Sequence, residues 1–159
     1  MPLLLVRHAN AGRRSAYKGD DRLRPLSTRG RARAVALVPV LDRYRPQRIL
    51  SSPFVRCCET VRPVAEALSL PVESVDELAE GRASDAVALL RRMAGESAVL
   101  CTHGDVAAAM LGSLLDGSAV ATDGELRLQK GEVWVIRSAG TSLRIVEHIR
   151  RTATGTSRE

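Results

Sequence analysis

Aromatic residues are scarce: Phe, Trp and Tyr together make up 3% of the 159 residues. Readers of single-stranded nucleic acid stack bases on aromatic side chains, so this composition argues against such a partner. It also leaves Leu, Val and Ala to fill the core. Cysteine is equally sparse, at Cys57, Cys58 and Cys101. An odd count with an adjacent pair forms neither a secreted disulfide framework nor CxxC metal spacing. HExxH, the glycine-rich GxxxxGK[ST] loop and any carboxylate run are missing, so no resident metal or cofactor is expected. The apolar run at the N-terminus follows no basic region and falls far short of the roughly 20 residues that cross a bilayer. The expectation is a reduced, cytoplasmic protein with no membrane partner.

What is present fits one globular unit, with hydrophobic content of 45% and a formal net charge of +6. A single domain over residues 1–150 and a polar tail over 151–159 are expected. Much of the positive excess is arginine, whose planar fork suits phosphate and carboxylate.

Leu3-Leu4-Leu5-Val6 reads as a short strand buried on both faces, and Arg7-His8 follows with no intervening turn. Ala98–Thr102 repeats the pattern, followed by His103-Gly104-Asp105. Two of three histidines therefore stand where apolar strands end. Ligands in open α/β sheets bind outside the carboxyl ends of the strands.

Between these stretches strands and helices alternate. Residues 10–25 form a long polar loop with Lys18 and Arg22 among its cations, while Arg13 and Arg14 read as surface residues. Ser27 or Thr28 caps a first helix; Pro39 should kink it or start a second segment. Arg48–Ser51 is a second strand. Ser52 and Pro53 read as cap and first position of a helix that Pro63 should end or bend, with Ala65–Leu68 completing it. Arg56, in its first turn, opposes the helix dipole unless an anion sits there. Val72–Val75 is a weak strand, Asp76–Gly81 an acidic loop, and Ser84-Asp85 a cap for a third helix. A fourth helix spans about Val106–Leu115. Strands Val133–Arg137 and Leu143–His148 form a hairpin. The expected class is α/β, a three-layer α/β/α arrangement with a central, mostly parallel sheet and an antiparallel edge strand.

Arg7, His8, Arg56 and His103 offer two permanent cations and two imidazoles, a set suited to a phosphoryl group. An imidazole can attack phosphorus and hold it as phosphohistidine, with the cations on the equatorial oxygens. A leaving oxygen then needs a proton, and Glu77 and Glu80 are the nearest donors by sequence.

Four stretches, taken in order, resemble one family. Leu5-Val6-Arg7-His8-Ala9 resembles the RHG motif of the histidine phosphatase (phosphoglycerate mutase-like) superfamily, with Ala9 for the usual glycine. Pro25–Ala34 resembles its L-T/S-x-x-G-x-x-Q/R-A segment, and Ser51–Thr60 its S-S-P-x-x-R-x-x-x-T segment. Thr102-His103-Gly104 resembles the late histidine motif, and the Lys130-Gly131 turn suits its last strands.

The resemblance implies His8 as nucleophile, with Arg7, Arg56 and His103 as the phosphate pocket. It favours Glu80 over Glu77 as proton donor; should Glu80 fail its test, Glu77 or Asp105 is next. Asn10, Lys18, Arg22 and Gly104 are candidate substrate-binding residues. The chain is compact and similar to the phosphohistidine phosphatase branch, and to the phosphatase domain joined to Nudix hydrolases in some actinobacteria, without a Nudix signature. Little chain remains to enclose a sugar phosphate, which argues against mutase activity. The expected function is a metal-independent phosphatase acting on a phosphohistidine protein or a phosphorylated small molecule. The alternatives are a nucleotide phosphatase, with Lys18 and Arg22 on extra phosphates, and a non-catalytic anion- or nucleic-acid-binding module.

Overall fold

The structure, a computed structural model, describes residues 1–115 and 128–151. Of the expected polar tail, 152–159 lie outside the described residues. Six strands form one sheet: β1 (Pro2–Arg7), β2 (Arg48–Ser51), β3 (Val72–Ser74), β4 (Ala98–Thr102), β5 (Val133–Ala139) and β6 (Ser142–Ile149). Four helices accompany them: α1 (Thr28–Asp42), α2 (Val55–Leu68), α3 (Ala83–Arg92) and α4 (Gly104–Ser113). The strand order is β3-β2-β4-β1-β5-β6.

Alternation along β1 sorts the core into two layers. Leu3 and Leu5 pack with Leu89 and Leu90 of α3 and with Val106 and Met110 of α4. Leu4 and Val6 pack with Leu37 and Leu41 of α1 and with Val61 and Val64 of α2. The sheet is thus covered on both faces, which is why β1 and β4 carry no polar alternation.

Register decides where the strands end together. β1 runs parallel to β4 with Arg7 opposite Thr102, and β2 runs parallel to β4 with Ser51 opposite Cys101. β5 is the reversed strand and pairs antiparallel with β1, Val133 opposite Val6. Its amino end therefore meets the carboxyl ends of β1, β2 and β4. β6 completes the hairpin at the outer edge.

Several local expectations change. α1 runs through Pro39 as one helix, with no second segment starting there, and α2 runs past Pro63 to Leu68, the end that the sequence pattern also gives. Each proline removes one backbone bond, yet the buried faces of α1 and α2 hold the helices to the sheet across it. Pro39 and Val35 are exposed, so water can answer the carbonyl freed there. α2 starts at Val55 after Phe54, so Ser52 is not its cap. α3 starts at Ala83, with Asp85 inside its first turn rather than before it. Ser27 does cap α1, accepting from the Gly30 N–H at 3.1 Å. Its hydroxyl also reaches the Asn10 backbone oxygen (3.0 Å) and Oδ1 (2.7 Å). Among the described residues no helix is long and apolar enough to cross a membrane.

Candidate active site

Arg7 and His8 leave β1, His103 leaves β4, and Arg56 enters from the first turn of α2. All four line one open basin of about 720 Å³ at the carboxyl end of the parallel strands. Thr60, one turn beyond Arg56, fixes this junction. Its hydroxyl donates to the Arg56 carbonyl (2.7 Å) and accepts from the Ala9 N–H (2.9 Å).

His8 is buried, and its Nδ1 lies 2.8 Å from its neighbour's carbonyl, Ala9 O. A carbonyl only accepts, so Nδ1 carries the proton and Nε2 keeps its lone pair. Burial, aided by the charges of His103, Arg56 and Arg7, lowers His8 to about 3, against the Ala9 bond, which favours the charged ring. At neutral pH the ring is therefore uncharged. The His103 ring lies 5.5 Å away, centroid to centroid, edge-on.

Arg56 is 1% exposed. It donates to the Asp21 backbone oxygen (2.9 Å) and to Asp21 Oδ2 (3.1 Å), and its guanidinium lies over the Phe54 ring. Arg7 donates to Leu128 O at 3.0 Å. His103 Nε2 lies 2.9 Å from the Ser52 hydroxyl, which also accepts from the Phe54 N–H. Arg7 Nε, Arg56 Nε and His103 Nδ1 are buried without a partner among the described residues. Such groups are costly in an empty apolar setting. Three of them cluster at one basin, a set of donors whose geometry suits an oxyanion.

Of the other sequence candidates, Glu80 and Gly104 line the basin. Glu80 Oε1 accepts from Arg14 at 2.6 Å, and its Oε2 lies 3.6 Å from Arg56. Gly104 must be small: a Cβ there would meet the Arg7 guanidinium carbon at 2.8 Å. Asp105 also lines the basin and accepts from the Gly81 N–H. Glu77 turns instead to Arg92. Asn10 organises the loop through Ser27 and Gly12. Lys18 and Arg22 are not among the residues lining the basin. Arg22 borders a neighbouring hollow and pairs with Asp20.

The loop cations that do face the basin are Arg13, Arg14 and Arg24, joined by Lys130 from the turn before β5. Arg24 is buried and donates to Ala11 O (2.8 Å) and Gly12 O (3.2 Å). Asp21 pairs with Arg14, Arg24 and Arg56 together. Burial pushes this carboxyl up, but the three arginines outweigh it and hold it below its usual value. Ser52, whose place just after β2 suggests a helix cap, instead meets His103. Lys130 had no comparable local signal.

The sheet order and helix layers define an α/β fold shared with solved proteins. The protein histidine phosphatase SixA complexed with tungstate superposes with a TM-score of 0.75 at 22% identity, covering 94% of this chain and 96% of that one. Mycobacterial glucosyl-3-phosphoglycerate phosphatase Rv2419c in complex with VO3 gives 0.74 at 18% identity, covering 91% and 96%. The profile of the histidine phosphatase superfamily (branch 1) matches residues 3–86, and the chain belongs to that superfamily. It is also 38% identical over 142 residues to an 8-oxo-(d)GTP phosphatase of Mycolicibacterium smegmatis. That alignment covers 84% of this chain but 43% of the longer relative.

Proposed function

We propose that this chain is a phosphatase that passes the phosphoryl group through His8. The observation that carries the reading is the Nδ1 tether of His8 to Ala9 O, inside a cluster of Arg7, Arg56 and His103. It leaves Nε2 as an uncharged nucleophile facing a cationic basin. Attack by Nε2 on phosphorus forms the N–P bond as the bond to the leaving oxygen breaks. Arg7, Arg56 and His103 take up charge on the equatorial oxygens. A carboxyl at the rim, Glu80 in this reading, protonates the leaving oxygen. Water then cleaves the N–P bond and restores His8.

The set is imidazole and guanidinium, and no group of three metal-ligating side chains occurs among the described residues. Metal independence is thus part of the proposal, as is the assignment of residues 1–150 to one catalytic domain. The substrate is a phosphorylated small molecule or a phosphohistidine protein. The relative named for 8-oxo-(d)GTP favours a nucleotide as the second reading. Three free thiols, of which Cys57 and Cys101 are buried, suit a reducing, cytoplasmic setting.

The test is rapid acid-free quench during turnover of a ³²P-labelled phosphoester with excess chelator. Label should appear on His8 as acid-labile, base-stable phosphate and be lost in His8→Ala. Turnover without such label removes the covalent step. Salt-sensitive nucleic-acid binding without turnover of any phosphate would favour a binding module instead.

A further inference from the structure

Lys130 is a basin cation that the transfer chemistry above does not use. Its turn is strapped to Arg7 by three bonds. The Gly131 N–H donates to Arg7 O (3.0 Å), the Arg7 N–H donates to Glu132 O (3.3 Å), and the Arg7 side chain donates to Leu128 O (3.0 Å). The outer side is also fixed. Arg33 donates to Gly131 O at 2.8 Å, and the buried Glu132 carboxylate accepts from the Gln129 N–H and binds His148 Nε2. The turn that carries Lys130 is therefore held against Arg7, and Lys130 is among the residues that line the basin.

Its electrostatic setting is uneven. Asp21 and Glu80 pair with Arg14 and Arg56, and Asp21 pairs with Arg24. Among the described residues no carboxylate lies within 4.0 Å of the Lys130 ammonium. Burial first, then the charges of Arg7, Arg24 and Arg56, lowers its pKa. A cation held among cations is stabilised by an anion. The phosphoryl group at His8 already has Arg7, Arg56 and His103.

We propose that Lys130 is a specificity-determining residue that receives a second anionic group of the same small molecule whose phosphoryl group reaches His8. This rests on the phosphatase reading of the basin. The second group is a phosphate or a carboxylate, since an ammonium serves both as a point charge. A phosphohistidine carrying one phosphoryl group offers Lys130 no such partner and gains nothing from it.

The test is calorimetric binding of methylphosphonate, methylenediphosphonate and phosphonoacetate to the full chain, in wild type, Lys130→Met and Lys130→Arg. Wild type should bind one of the two larger anions at least roughly tenfold tighter than methylphosphonate, the scale of one charged hydrogen bond. Lys130→Met should erase that advantage and Lys130→Arg keep most of it. Preference for the diphosphonate assigns a phosphate, and preference for phosphonoacetate a carboxylate. Equal binding of all three by wild type, or a preference that survives Lys130→Met, overturns the proposal. Binding is read without turnover, so the two readings fail separately. A Lys130-dependent preference without trapped phosphohistidine discards only the covalent step. Trapped phosphohistidine without the preference discards only Lys130.

Discussion

Protonating His8 places a charge in a buried site already holding Arg7, Arg56 and His103, and the group is lowered to about 3. The unfolded chain holds the same imidazole near its ordinary value of about 6.5. Between those values the unfolded state binds the extra proton and the folded state does not. The stability contribution of neutral His8 is thus complete above about pH 6.5 and is lost as pH falls toward 3, at about 1.4 kcal/mol per pH unit. His8→Asn should flatten the stability curve within that window, as read by urea melts from pH 7 to 4. In the wild type, NMR should show His8 as the neutral Nδ1–H tautomer down to pH 5. A His8 titration near 6.5 would contradict this environment. His8→Ala should remove at least about four orders of magnitude of turnover while the chain stays folded. Glu80 requires a finer test, because it is held by Arg14 and Arg56. If it protonates the leaving oxygen, Glu80→Gln should slow esters with poor leaving groups far more than activated aryl phosphates. Equal losses across leaving groups would transfer the role to Asp105, which also lines the basin.

At the level of elements, the site depends on how tightly strand ends and helix starts approach. A Cβ at Gly30 would lie 1.9 Å from Asn10 O, so α1 and the loop after β1 touch backbone to backbone. Gly30→Ala must push them apart. It should cost roughly 1–3 kcal/mol, as overpacking does, visible as a lowered midpoint in urea. Gly104→Ala is different, because the atom it meets is the end of the flexible Arg7 side chain. The fold should persist with a small change in midpoint, while kcat/KM drops by an order of magnitude or more through the displaced guanidinium. A Gly104→Ala variant with unchanged kinetics would show that Arg7 need not sit where it does. The same elements show what was legible in the chain. β1 and β4 were plain because a run of four apolar residues breaks off abruptly, at Arg7-His8 and at Thr102-His103. Ser27 was plain as a cap because capping is local. That α1 and α2 run on past Pro39 and Pro63 rests on tertiary packing against the sheet, and Ser52 misled because its partner is His103, 51 residues away.

For the whole molecule, the legible part of the site was the part built at strand ends in sequence. Arg7, His8, Arg56 and His103 follow β1, β2 and β4, and a parallel sheet brings such ends together. Lys130 and Arg24 were not legible. Lys130 arrives only because β5 runs backwards against β1, and Arg24 only because the loop folds in on Asp21. Together they change the charge of the basin: among the described residues, Arg7, Arg13, Arg14, Arg24, Arg56 and Lys130 line it against the carboxylates of Glu80 and Asp105. The whole chain carries +6 as well, so an anion approaches the basin through a favourable field. That field acts over distances comparable with the Debye length, about 10 Å at 0.1 M salt, and is screened. Arg56 and His103 are buried, and contacts at such depth are screened much less. Raising salt from about 20 to 200 mM should therefore lower kcat/KM for a phosphoester several-fold while kcat changes little. The fall should be steeper for a substrate of higher negative charge. Arg13→Ala, which removes a rim cation, should make the salt dependence shallower. Parallel loss of kcat and kcat/KM with salt would mean that the inner cluster itself is open to ions, contrary to its burial.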